Sequence, residues 1–240
     1  MARPNKQTVK IPQLEQKISV NCKKLDEKQL RFLSKALSKK TKIMFIDGPA
    51  GSSKTYMSVY SGLRLLSAYE ELDLLYIRTI IESAEKGMGA LPGDVEEKFN
   101  PYMAPLLDKL EEMLPRNTTL KRDLLDKGKI SSMPINFLRG ATWRDKIVIA
   151  DEAQNFTLKE LTTLITRIGE NTKLFVCGDS MQSDINGRSG FGDICHIFDN
   201  SESRQKGIEY FEFDSSDIKR SQILKFIIEK LQQYKKKCRQ

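Results

Sequence analysis

The feature that most constrains this chain is the octapeptide at residues 48–55, Gly-Pro-Ala-Gly-Ser-Ser-Lys-Thr. It follows an apolar run at residues 43–46 and opens a stretch of helical periodicity. A strand that runs into a glycine-rich loop and then a helix makes a phosphate cradle. The loop wraps its backbone N–H groups around the anion, and the helix N-terminus adds the positive end of its dipole. On this reading Gly48, Pro49, Ala50, Gly51, Ser52 and Ser53 form the cradle. Lys54 reaches the β- and γ-phosphates, and Thr55 ligates Mg²⁺ through its hydroxyl. One position departs from the pattern G-x-x-x-x-G-K-[ST]: Ser53 stands where glycine is expected. Glycine lets the backbone approach a phosphate closely, so the serine puts the efficiency of hydrolysis in question. A plain Gly-Pro turn before an ordinary helix is the competing reading, and it leaves the register of strand, glycines, lysine and threonine unexplained.

About 95 residues further on, residues 147–154 read Ile-Val-Ile-Ala-Asp-Glu-Ala-Gln. An apolar strand here ends in two adjacent carboxylates that point in different directions and can do different work. Asp151 is placed to hold Mg²⁺ through water, and Glu152 to polarise an in-line attacking water. Residues 174–182, Leu-Phe-Val-Cys-Gly-Asp-Ser-Met-Gln, repeat the strand-then-turn pattern, with Gln182 placed to bridge a γ-phosphate and a neighbouring domain. Charged turns after core strands are the plain alternative for both segments.

Further apolar runs at 72–77 and 208–213 predict five strands in all, with 43–46, 147–150 and 174–177. Helical stretches at 25–37, 53–66, 95–114 and 158–168 alternate with them, and a last helix is expected over about 216–237. Continuous apolar strands separated by helices predict an α/β fold, a parallel sheet with helices on both faces. A chain of 240 residues suits a single such domain. Residues 85–94, rich in Gly and Pro, read as a loop, and Pro101 and Pro105 predict a helix that starts only at or after one of them.

No apolar run approaches the roughly 18 residues of a membrane span, and the first residues show no secretory pattern. The four cysteines, Cys22, Cys177, Cys195 and Cys238, are far apart and suggest neither a disulfide framework nor a zinc site. A reducing cytoplasm is the expected setting. The single histidine, His196, argues against His-dependent nucleophilic catalysis. The net charge of +8 is unevenly spread: +9 over residues 1–42, −8 over 43–218 and +7 over 219–240. The chain thus reads as a basic N-terminal arm (1–20), a catalytic domain (21–234) whose middle, 43–218, is acidic, and a basic tail (235–240). Contact with a polyanion, if made, falls to the basic ends.

Several blocks resemble the PhoH-like ATPases, relatives of superfamily-one helicases. They are GPAGSSKT, GALPGDVEEKFNPYMAPLLDKL, FLRGATWRDKIVIADEAQN, LTTLITRIGENTKLFVCGDSMQSD and FEFDSSDIKRSQILKFI, covering about residues 25–230. The resemblance implies a single RecA-like P-loop NTPase domain that binds and hydrolyses ATP with Mg²⁺ and associates with single-stranded RNA or DNA. It makes Gln29 the reader of the adenine edge and Gln182 the γ-phosphate sensor. It also implies a transition-state arginine among Arg78, Arg139, Arg167, Arg188 and Arg220, with Arg167 and Arg220 favoured. Helicases of this lineage close two RecA-like folds over ATP, so a chain with one implies a homo-oligomer, expected to be a hexamer. No nuclease activity is expected. A non-hydrolysing ATP-dependent switch, motivated by Ser53, is the alternative. A small-substrate kinase fits the DEAQ and GD-Q blocks less well.

Overall fold

The computed structural model describes residues 18–79, 95–116, 118–138, 140, 142–182, 185 and 189–218, with 223, 226, 227 and 230 beyond. Six strands form one sheet: β1 (Ile43–Asp47), β2 (Asp73–Arg78), β3 (Ile130–Pro134), β4 (Lys146–Ala150), β5 (Thr172–Gly178) and β6 (Ile208–Glu212). Their order across the sheet is β3-β2-β4-β5-β1-β6, and every neighbouring pair is parallel. All strand C-termini therefore open on one edge, where α/β sheets place their ligands.

Helices cover both faces. On one lie α1 (Glu27–Leu37), α2 (Lys54–Ala68), α3 (Val95–Met113) and α4 (Leu120–Asp126). They bury Phe32, Met57, Leu63, Leu106, Leu110 and Leu124 against Met44, Leu74 and Ile147. On the other, α5 (Leu158–Ile165) and α6 (Phe191–Phe198) pack Leu161, Leu164, Phe191 and Ile194 on Phe45, Val148 and Val176. The short α7 (Ser201–Gln205) leads into β6. The expected single α/β domain with a doubly covered parallel sheet is what the chain forms. No described helix is long and apolar enough to cross a membrane.

Local chemistry explains the boundaries near the site. Asp26 caps α1: its carboxylate accepts from Gln29 N–H at 2.8 Å while Gln29 Oε1 accepts from Asp26 N–H at 3.1 Å, a reciprocal capping box. At the far end of α1, Lys173 on β5 donates to the carbonyls of Ala36 and Ser38. Lys28 bridges to Asp214 and Asp217, which tie a 3-10 turn at Ser215–Asp217 to α1.

Three expectations change. The sheet has a sixth strand, β3, which was not expected; it is a sheet edge whose sequence, Ile-Ser-Ser-Met-Pro, lacks a continuous apolar run. Helix α3 begins at Val95, ahead of both Pro101 and Pro105. Each proline removes one helix hydrogen bond, and burial of Leu106, Leu110 and Met113 supplies the tertiary packing that holds helices generally. The segment expected to open the last helix begins as the 3-10 turn at Ser215–Asp217. The loop at 85–94, residues 1–17 and the tail 235–240 lie outside the described residues.

Candidate functional site

The loop between β1 and α2 opens at the C-terminal edge of the sheet. Gly48 leaves no alternative residue there: a Cβ would stand 2.6 Å from the Phe213 carbonyl oxygen. Ser53, directly before α2, has φ 74° and ψ 16°, in the left-handed region, and its side chain makes no capping bond. The glycine expected at this position is thus needed for conformation as well as for close approach. An L-residue in this region costs about 1–2 kcal/mol, so Ser53→Gly should stabilise the protein by about 1 kcal/mol after glycine's unfolded-state entropy is subtracted. Thermal unfolding should show a rise of about 2–4 °C; an unchanged or lowered midpoint would show that the serine is not strained.

Lys54 Nζ donates to the carbonyls of Gly48 (2.5 Å) and Pro49 (3.0 Å), folding the lysine over the loop. Ser52 is fully buried and donates its hydroxyl back to Pro49 O at 2.8 Å. Thr55 Oγ1 donates to Asp151 Oδ1 at 2.9 Å. That bond spans the sheet, because β5 lies between the strands that carry the loop and the carboxylates. Strands are about 4.8 Å apart, so only a residue opening α2 and one just past β4 come within reach.

Glu152, with φ 56°, also sits in the left-handed region, and such outliers gather at functional sites. Its carboxylate accepts from Gln154 Nε2 at 2.5 Å and pairs with Arg78 at 3.5 Å. Gln154 Oε1 in turn accepts from Asp179 N–H at 3.1 Å, so one side chain ties the β4 turn to the β5 turn. Asp47 completes the edge by accepting from Ser180 N–H at 2.9 Å. Burial pushes the Cys177 thiol and the Tyr76 phenol well above their ordinary ranges. Burial also pushes the Tyr56 phenol up to about 12. All three are neutral near pH 7.

One cleft of about 640 Å³ is bounded by Ala50, Gly51, Ser53, Lys54, Thr55, Asp151, Glu152 and Gln182, and also by Gln29, Lys23, Lys24 and Tyr56. Gln29 is buried (6%), not an exposed helix residue, and its Oε1 is spent on the α1 cap. Gly48, Pro49 and Ser52 contribute backbone and loop support. Arg167 does not line the cleft; its guanidinium donates to the carbonyls of Leu138 and Gly140. Arg139, Arg188 and Arg220 lie outside the described residues. Sequence reasoning assigned no role to Tyr76 or Gln154. Gln154 could have been found from its place in the DEAQ turn; Tyr76 carries no signal within an apolar run.

The site's oxygen donors suit Mg²⁺. Among the described residues no cluster of three or more acidic, His or Cys side chains could cage a metal. One hydroxyl and one carboxylate at the foot of a phosphate cradle match an ion that keeps its waters and shares substrate phosphates. Thr55 and Asp151 would hold it.

The PhoH-like protein family model matches residues 21–232. The chain belongs to the PhoH-like family. It is 33% identical over 196 residues to the PhoH-like protein of Bacillus subtilis, spanning 81% of this chain and 59% of that one. With the PhoH-like protein of Mycobacterium tuberculosis H37Rv it shares 32% over 194 residues, covering 80% and 53%. Protein PhoH of Escherichia coli K12 is 33% identical over 179 residues, covering 74% and 50%. The chain thus spans between half and three-fifths of these PhoH-like relatives' lengths. Among solved structures it is similar to the Pif1 helicase from Candida albicans, with TM-score 0.40 and 17% identity over 80% of this chain and 40% of that one.

Proposed function

We propose that this PhoH-like protein binds ATP with Mg²⁺ in the cleft and hydrolyses it in association with single-stranded RNA or DNA. The observation that carries the reading is the Thr55–Asp151 bond at 2.9 Å, which joins the phosphate loop to the carboxylate turn in one cleft with Lys54 and Glu152. Lys54 and the backbone N–H groups of residues 48–55 bind the phosphates, and Gln29 meets the adenine. Bound Mg²⁺ offsets phosphate charge and polarises the scissile bond. Glu152, held by Gln154 and Arg78, orients water, and Gln182 senses the γ-phosphate.

With Arg167 turned to loop carbonyls outside its own cleft, the arginine that stabilises the transition state comes from a second copy, as Arg167 or Arg220, in a homo-oligomer of hexamer size. The basic arm and tail contact nucleic acid, and the cytoplasm is the setting. A second reading, a switch that binds ATP without turnover, draws on the left-handed Ser53.

Phosphate release by the full chain, sized by light scattering and assayed with and without single-stranded RNA at several salt concentrations, tests the proposal. RNA should raise the rate, and the logarithm of the apparent RNA affinity should fall linearly with log salt. Deleting residues 235–240 should reduce both effects. A rate indifferent to RNA at all salts would overturn the nucleic-acid reading; full activity in a monomer would overturn the oligomer.

A further inference from the structure

Asp151 is only 4% exposed, and both of its oxygens are engaged by hydroxyls from different elements. Thr55 Oγ1 donates to Oδ1 at 2.9 Å, and Tyr76 Oη donates to Oδ2 at 2.6 Å. Tyr76 is fully buried in β2, among Leu74, Ile147 and Ile149, within the core beneath α2. A phenol in such surroundings must place its hydrogen on a partner or forfeit a hydrogen bond, and the partner here is the carboxylate.

A carboxylate oxygen facing a hydroxyl accepts its hydrogen, and each hydroxyl has only one to give. Tyr76 gives its hydrogen to Oδ2, and Thr55 gives its own to Oδ1. The Thr55 oxygen is then left with lone pairs alone, at the floor of the phosphate cradle. Without the Tyr76 hydroxyl, Oδ2 is a buried acceptor without a donor, a loss that drives the carboxylate to turn. Its grip on the Thr55 hydrogen goes with that turn.

We infer that Tyr76 is a positioning residue that fixes Asp151, so that Asp151 holds the Thr55 hydroxyl with its lone pairs free for a hard divalent cation. This rests on the cleft being a nucleotide–Mg²⁺ site. Tyr76 touches neither nucleotide nor metal and acts through Asp151.

The test is the affinity of the full chain for mant-ADP, measured by fluorescence in Mg²⁺ and in EDTA. Tyr76→Phe should lose about 10-fold of the tightening that Mg²⁺ confers, the scale seen when partners behind a metal ligand are removed. Its affinity in EDTA should stay within about twofold of wild type, since no phosphate contact has changed. In an Asp151→Asn background, Tyr76→Phe should change the Mg²⁺ tightening no further. An unchanged tightening in Tyr76→Phe, equal losses in Mg²⁺ and EDTA, or additive losses in the double variant would each overturn the inference. Should Tyr76→Phe alone fail to fold, the same comparison is made in the Ser53→Gly background. A wild type that binds no mant-ADP in either buffer overturns the nucleotide reading itself, a result distinct from the other three.

Discussion

Replacing Lys54 by alanine is expected to weaken ATP binding by about 100-fold, the equivalent of one or two charge-assisted hydrogen bonds to phosphate. Lys54 lines the cleft at the phosphate loop, and its hydrogen bonds within the chain go to the carbonyls of Gly48 and Pro49. Gly48 and Pro49 are buried, but the Pro49 carbonyl keeps the Ser52 N–H and hydroxyl, so truncation strands the Gly48 carbonyl alone, at about 1–3 kcal/mol, and the fold should persist. Equilibrium binding of a fluorescent ATP analogue, with thermal unfolding alongside, separates the outcomes. Lost binding in a variant that still unfolds cooperatively supports the cradle; retained binding would place the phosphates elsewhere.

Glu152→Gln should act on the chemical step instead. The amide is nearly isosteric and can keep the left-handed backbone at φ 56°, but it cannot polarise water as a carboxylate does. The rate should fall by about 10²–10⁴-fold, the usual contribution of a positioned acid or base. ATP affinity should change little, since the partners of Glu152 are Gln154 and Arg78 and the proposal gives it the water, not the phosphates. Binding titrations of this variant should therefore overlay those of wild type. A parallel fall in affinity would show that Glu152 shapes the cleft and does not act on water.

How much of this was legible in the residues follows from what a linear pattern can carry. Strands β1, β2, β4 and β5 are largely buried and announce themselves as apolar runs; of the two edge strands, the half-buried β6 still carries Ile208, Tyr210 and Phe211, whereas β3 has no such run. The phosphate loop and the carboxylate turn were legible because each is a contiguous motif at the end of a strand. The importance of position 53 was visible too, but its cause was only half seen, since the left-handed angle belongs to the folded loop. Relations across the sheet were legible only for Thr55 and Asp151, which the motifs assign to one ion. Tyr76 meets Asp151 only because β2 and β4 are parallel neighbours in the register that sets Ile77 against Ala150. Gln154 reaches Asp179 because β4 and β5 end side by side. Gln29 was assigned to the adenine by the family resemblance alone; its burial at the cleft comes from the packing of α1 beside α2. The Gly-Pro-rich block at 85–94, which weighs heavily in the family resemblance, falls outside the described residues, so its part in the site stays with the sequence.

The central claim is that this cleft cleaves ATP, with Glu152 acting on the water. Phosphate release from a single bound ATP, wild type beside Glu152→Gln at equal occupancy and saturating Mg²⁺, tests it most directly. The account predicts measurable release from wild type and release slowed by about 100-fold or more in the variant. Equal rates in the two proteins, or no release from either, would contradict it.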